Sequence, residues 1–207
     1  MRQVTHPGQD QFDTNVGVQS RWPLLVVGPL STWSTPRKNV VLMGDAAHAM
    51  VNHMAQGAAT SMEDGAFLAQ CVAAAVRNRI SLREAITIYE TERMPKAHAK
   101  QQISFLNGAV WHLPDGPGQQ ARDEAMRPEL EGKFLVRSSN LYDDPLTVLE
   151  VYGYDVEGHA VDAVEKFLNA GCEPVHPNTK VTAGMQARYM DWFLSDEAKR
   201  GGRAVKL

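Results

Sequence analysis

The chain has 207 residues, with 43% hydrophobic and 22% charged residues, enough for a soluble domain with its own core. A formal net charge of -3 gives no electrostatic case for nucleic acid or an anionic membrane, and no apolar run approaches the roughly 20 residues that cross a bilayer. Cys71 and Cys172 are too few and too far apart for a metal centre or a disulfide framework, which fits a reducing, cytoplasmic setting.

In chain order, residues 1–20 are polar and read as a flexible N-terminal arm. The segment from Arg21 to Leu30 offers a short strand limited by Pro23 and Pro29, with Trp22 and Trp33 as core anchors. Val40 to Met43 is an apolar, β-branched run that predicts a buried strand. Gly44 lets the backbone turn sharply and Asp45 follows at the strand exit, where it is placed either as a helix N-cap or as a carboxylate for vicinal hydroxyls. After a small-residue loop, Gln56, Gly57 and Ala58 open a helix whose first N–H groups suit a polar ligand edge.

That helix is predicted over 55–78, with Met62, Phe67, Leu68, Cys71, Val72 and Val76 on its apolar side. Ser81 to Glu84 is a capping box for a second helix that Pro95 breaks or kinks, and a third runs from Lys96 to Trp111. Leu113 to Gly118 is a turn, residues 119–130 a short polar helix, and Phe134 to Tyr142 irregular or extended. Pro145 starts another helix, Gly153 and Tyr154 interrupt it, and Asp155 to Asn169 continues as helix to a stop at Gly171. Residues 172–182 read as a linker. Met185, Tyr189, Trp192 and Phe193 are spaced for an amphipathic tail helix that docks on the body or on a second copy. The fold class is thus mainly α with a few short strands, in one domain over 21–171, with the linker and tail helix over 172–207.

Gly44-Asp45-Ala46-Ala47-His48-Ala49-Met50, then Gln56-Gly57-Ala58 and Glu63-Asp64, resemble the second FAD motif of the aromatic-hydroxylase (salicylate-hydroxylase-like) flavoprotein monooxygenases. The likeness continues through Ile86 to Pro95, Leu113 to Gly116 and Tyr152 to Asp155, and covers about residues 20 to 170. The resemblance implies a remnant of that fold, with Asp45 on the ribityl chain of FAD and Gln56, Gly57 and Ala58 near the flavin ring. Two departures bear on the cofactor. The family's chain starts with a Gly-x-Gly-x-x-Gly turn for the pyrophosphate, whereas the glycines at 7, 17 and 28 stand alone, so the nucleotide-binding half is expected to be lacking. Asn52 stands where the family usually has Pro.

These departures predict an enzyme that needs no cofactor, with Asp45, His48, Asn52 and His53 as catalytic groups. Its chemistry would be an acid–base cyclisation, isomerisation, dehydration or pericyclic step on a polyketide- or terpenoid-like intermediate. The alternative is an FAD-dependent hydroxylase, or half of one completed by a separate chain, in which Asp45, Gln56, Gly57 and Ala58 bind FAD. A third reading is a non-catalytic binding protein. Expected partners are a small-molecule substrate, a second copy in a homodimer and another enzyme of the same pathway, without nucleic acid or membrane. No metal is expected.

Overall fold

The computed structural model describes residues 23–28, 30–133 and 137–170. The N-terminal arm, Trp22, Cys172, the linker and the tail helix predicted from Met185, Tyr189, Trp192 and Phe193 lie outside the described residues, as does the stop at Gly171. The elements are α1 (Asp45–His48), a 3-10 turn (Asn52–Met54), α2 (Gly57–Val76), α3 (Leu82–Trp111), α4 (Pro117–Leu130), α5 (Pro145–Tyr152) and α6 (Val156–Ala170). The described part is mostly helical with almost no strand, as the sequence predicts. No helix in it is long and apolar enough to cross a membrane.

The buried strand expected at Val40 to Met43 does not form. One antiparallel bridge joins Ser34 to Val41, closed by the Leu42 N–H on the Trp33 carbonyl (2.7 Å) and the Thr35 N–H on the Val40 carbonyl (3.1 Å). Val40 is 56% exposed, and Leu42 and Met43 are exposed too. An apolar run of this kind needs a neighbouring strand, and no described residue continues the ladder beyond this bridge.

The core is helical. α2 packs on α3 and α6 around Phe67, Cys71, Tyr89, Ala160 and Val164, and Trp33 closes one side. A second cluster joins Met54 to Ile103 and Leu106 on α3, and to Leu141 and Val151. The inward face of α2 is Thr60, Asp64, Phe67, Cys71 and Ala74, a spacing of three and four that keeps one side inward. Met62 and Val76, assigned to the apolar side from sequence, are exposed instead. Burial pushes the Cys71 thiol up to about 12, with the Glu92 charge adding to it, so the thiol is inert.

The sequence divides α3 at Pro95, yet the helix runs through it for 30 residues. Proline removes one intrahelical bond and costs about 3 kcal/mol in a helix interior. Met94 and Ala97, on either side of it, are fully packed in the same core as Ala85 and Tyr89, and that burial outweighs the local cost. The start of α3 is fixed by its capping box: Ser81 Oγ accepts from the Glu84 N–H (3.2 Å), and Glu84 Oε2 accepts from the Ser81 N–H (2.6 Å). The predicted turn at Leu113 to Gly118 ends sooner than expected, because Pro117 already occupies the first turn of α4.

Candidate functional site

Gly44 is buried and takes φ 59°, a left-handed conformation that a side chain resists. A Cβ there would lie 2.9 Å from Ser61 Oγ, so glycine also permits close packing against α2. Ser61 in turn donates to the Gly57 carbonyl (3.0 Å), one turn nearer the helix start. This approach sets the start of α1 beside the first turns of α2. Asp45, the first residue of α1, is exposed, and among the described residues nothing bonds its carboxylate. Gln56 precedes α2 without a side-chain cap, which leaves the first N–H groups of the helix, from Gly57, Ala58 and Ala59, without intrahelical acceptors. Ala58 is exposed and Gly57 half-buried. An exposed carboxylate and a row of donors on small residues thus belong to two elements that meet where Gly44 packs on Ser61.

Beneath this surface lies a buried charged network. Asp64 accepts from the Gly44 N–H (3.0 Å) and from Arg93 Nε (3.0 Å), and meets His48 Nε2 at 2.6 Å. Arg93 Nη2 also donates to Glu63 (2.8 Å), and Lys100 Nζ joins Glu63 (2.5 Å) to the Gln56 side-chain carbonyl (3.2 Å). Burial alone would raise the Asp64 carboxyl, but His48, the Gly44 N–H and Arg93 together hold it below its ordinary range. Burial likewise works against the Arg93 charge, and Asp64 and Glu63 more than offset it. Asp64 and Arg93 therefore keep their charges inside the protein, and the network ties α1, α2 and α3 together.

The structure separates the four candidate catalytic residues. Asp45 and Asn52 are exposed, Asn52 at the start of the 3-10 turn. His48 has no exposed surface; it is held by Asp64, and its ring lies 5.3 Å from that of Trp33. An acid–base role draws no support from a ring so enclosed, and His48 is better placed as a positioning residue. His53 is half-buried with its ring 5.2 Å from His112, and its carbonyl accepts from Asn107 Nδ2 (2.6 Å). Gln56 is buried and turned towards Lys100, so its side chain is directed into the network. Among the described residues no group of three His, Cys, Asp or Glu is arranged to hold a metal.

Sequence reasoning gave no role to Asp64, Glu63, Arg93 or Lys100. Their signal was present: Arg93 and Lys100 sit seven residues apart on the side of the helix that also carries Tyr89, Met94 and Ala97. A buried charge at such spacing requires a partner, and Asp64 is the charge on the inward face of the facing helix.

Residues 30–104 match the family model described as FAD binding domain. The chain is 31% identical over 159 residues, 74% of its own length and 35% of the relative's, to the FAD-dependent monooxygenase OpS4 of Beauveria bassiana (strain ARSEF 2860). It is 44% identical over 103 residues, 49% of its length and 26% of the relative's, to 6-hydroxynicotinate 3-monooxygenase of Pseudomonas fluorescens. It is also 36% identical over 95 residues, 46% of its length and 22% of the relative's, to salicylate hydroxylase of Pseudomonas putida. The chain thus spans about a third or less of the length of these relatives. The resemblance to the FAD-dependent monooxygenases stands. The expectation that no cofactor is needed is corrected: the matched segment contains Asp45, Gln56, Gly57 and Ala58 and points to FAD. The donor set agrees with that correction, because a carboxylate and helix N–H groups that have no partner among the described residues suit ribityl hydroxyls and a carbonyl edge.

Proposed function

We propose that this chain forms the ribityl- and ring-facing side of the FAD site of a monooxygenase acting on a small organic substrate. The observation that carries the reading is the exposed Asp45 carboxylate, which nothing bonds among the described residues, on the element that packs through Gly44 against Ser61 of α2, whose start is uncapped, inside the segment matched to FAD binding domains. Bound FAD would supply the oxygen chemistry. The chain's own part is binding and alignment. Asp45 accepts from ribityl hydroxyls, and the N–H groups of Gly57 and Ala58 donate to a polar ring edge. Neither needs a large side chain, which leaves room for a flat ligand. The buried network fixes the separation of the two elements, and Asn52 offers a donor and an acceptor at the surface of the same loop.

The test is titration of the whole chain with FAD, followed by flavin fluorescence. A hydrogen bond to a charged acceptor contributes about 1.5–3 kcal/mol, so Asp45→Ala should weaken binding by at least about tenfold. Ala58→Pro should also weaken it, because it removes one of the free N–H groups while Pro remains tolerated in a first helical turn. Equal affinity in Asp45→Ala and the unaltered chain, or no binding of FAD by the unaltered chain, would remove the proposal.

A further inference from the structure

Past Pro95, α3 presents Lys96, Ala99, Lys100 and Ile103 to the end of α5 and to the turn leading into α6. An open cleft of about 480 Å³ lies between them, within the size range of small-molecule sites. Its floor is apolar: Ile103 and Val151 are packed in the core, and Ala99 lies beside them. Its charged groups are not equivalent. Lys100 is already committed to Glu63 and Gln56. Asp155 is committed to the start of α6, where its Oδ1 accepts from the Gly158 N–H (2.9 Å). Lys96 differs from both. Its Nζ sits over the Tyr154 ring at 4.2 Å, and among the described residues no carboxylate or hydrogen-bond acceptor is in contact with it. The Arg93 guanidinium lies over the same ring at 5.4 Å, so two cations share one aromatic ring.

A half-buried ammonium with a like charge beside it, and no carboxylate in contact with it among the described residues, can take an anion. Burial, and then the Arg93 charge, hold Lys96 below its ordinary range, and the carboxylates of Glu63, Glu92 and Glu150 offset this in part. An arriving carboxylate would relieve both costs. Glu150 also lines the cleft and would repel a second negative charge, while Lys96, Lys100 and Arg93 disfavour a cationic ligand.

We infer that the cleft between α3 and the α5–α6 turn is a second small-molecule site, which takes an organic monocarboxylate with a compact apolar body. Its carboxylate pairs with Lys96, its body lies on Ala99, Ile103 and Val151, and the Tyr154 ring bounds it. This inference does not rest on the FAD proposal, which uses neither Lys96 nor Tyr154.

The test is calorimetric titration of the whole chain, without FAD, using cyclohexanecarboxylate and its uncharged isostere cyclohexanecarboxamide. The carboxylate should bind, and the carboxamide should bind at least about tenfold more weakly. Lys96→Gln should lose a similar factor and Lys96→Arg should retain most of the affinity, with circular dichroism melts reporting whether each variant folds. If Lys96→Gln does not fold, the comparison of the two probes on the unaltered chain decides. No binding of the carboxylate up to about 10 mM, or equal binding of acid and amide, would overturn the inference. Because FAD is absent throughout, that failure is independent of any failure at Asp45.

Discussion

Asp64 receives the Gly44 N–H, the His48 ring and the Arg93 guanidinium on one buried carboxylate. Its neutral isostere would leave Arg93 facing Glu63 alone, in a place where Arg93 has no exposed surface. Breaking a buried pair by removing one partner costs about 3–5 kcal/mol, so Asp64→Asn should lower the urea midpoint strongly; a loss below about 1 kcal/mol would refute the account. The pH dependence has a definite sign. The folded protein holds Asp64 below the ordinary 3.8, so its contribution is complete above that pH and is lost as pH falls through the folded value. Burial, and then the nearby His48, hold His98 below 6.5, so its contribution is complete above pH 6.5 and declines as pH falls from there towards its folded value. Acid should therefore weaken the fold in two stages, the first beginning near pH 6.5. Urea midpoints measured from pH 7.5 down to about pH 5 should show the first stage in the native chain and lack it in His98→Gln. A flat native profile over that interval would remove His98 from the argument.

Among the elements, α3 shows most clearly what local signals can and cannot decide. Its start was legible because a capping box is a contract between neighbours in sequence: Ser81 and Glu84 satisfy one another wherever the helix goes. Ser81→Ala should cost about 1 kcal/mol in thermal or urea unfolding, and a change within a few tenths would show that the cap is redundant. Its continuity was not legible, because the packing that carries it through Pro95 comes from α2 and α6, which are distant in sequence. The Val40 to Met43 run failed as a strand for the complementary reason. β-branched residues favour extended backbone, but a strand also needs a neighbour, and Ser34 alone supplies a single bridge. The candidate site divides in the same way. The turn at Gly44 and the helix start at Gly57 were readable, while Asp45 was readable only as an N-cap or a carboxylate for hydroxyls. The network beneath them was not, since Asp64 and Arg93 lie 29 residues apart and only the tertiary fold pairs them.

At the scale of the molecule, the described body shows apolar side chains on the loops that precede the site. Leu24 is 60% and Leu25 69% exposed, with Val40, Leu42 and Met43 also open. Such residues favour association when they lie together. The homodimer expected from sequence remains a proposal with a direct measurement: light scattering should give a mass above the 22.8 kDa of one chain, and Leu25→Ser with Leu42→Ser should lower it. A single-chain mass at every concentration would discard the dimer.

The polar side chains of α3 carry one last consequence. Glu90 takes the Trp33 N–H (2.7 Å) together with Ser34, Thr32 and Lys38; Gln101 Nε2 donates to the carbonyls of Val27 and Ala49 (both 3.0 Å); Asn107 reaches His53. Three positions spaced along a single rod thus hold the loops before it, much as a comb holds strands. The loops that frame Asp45 are tied to α3 by these bonds, and so are expected to open together with it. Amide protons of Leu42, Gly44 and Ala49 should then exchange with solvent at the pace of the middle of α3, and not at the pace of free loops.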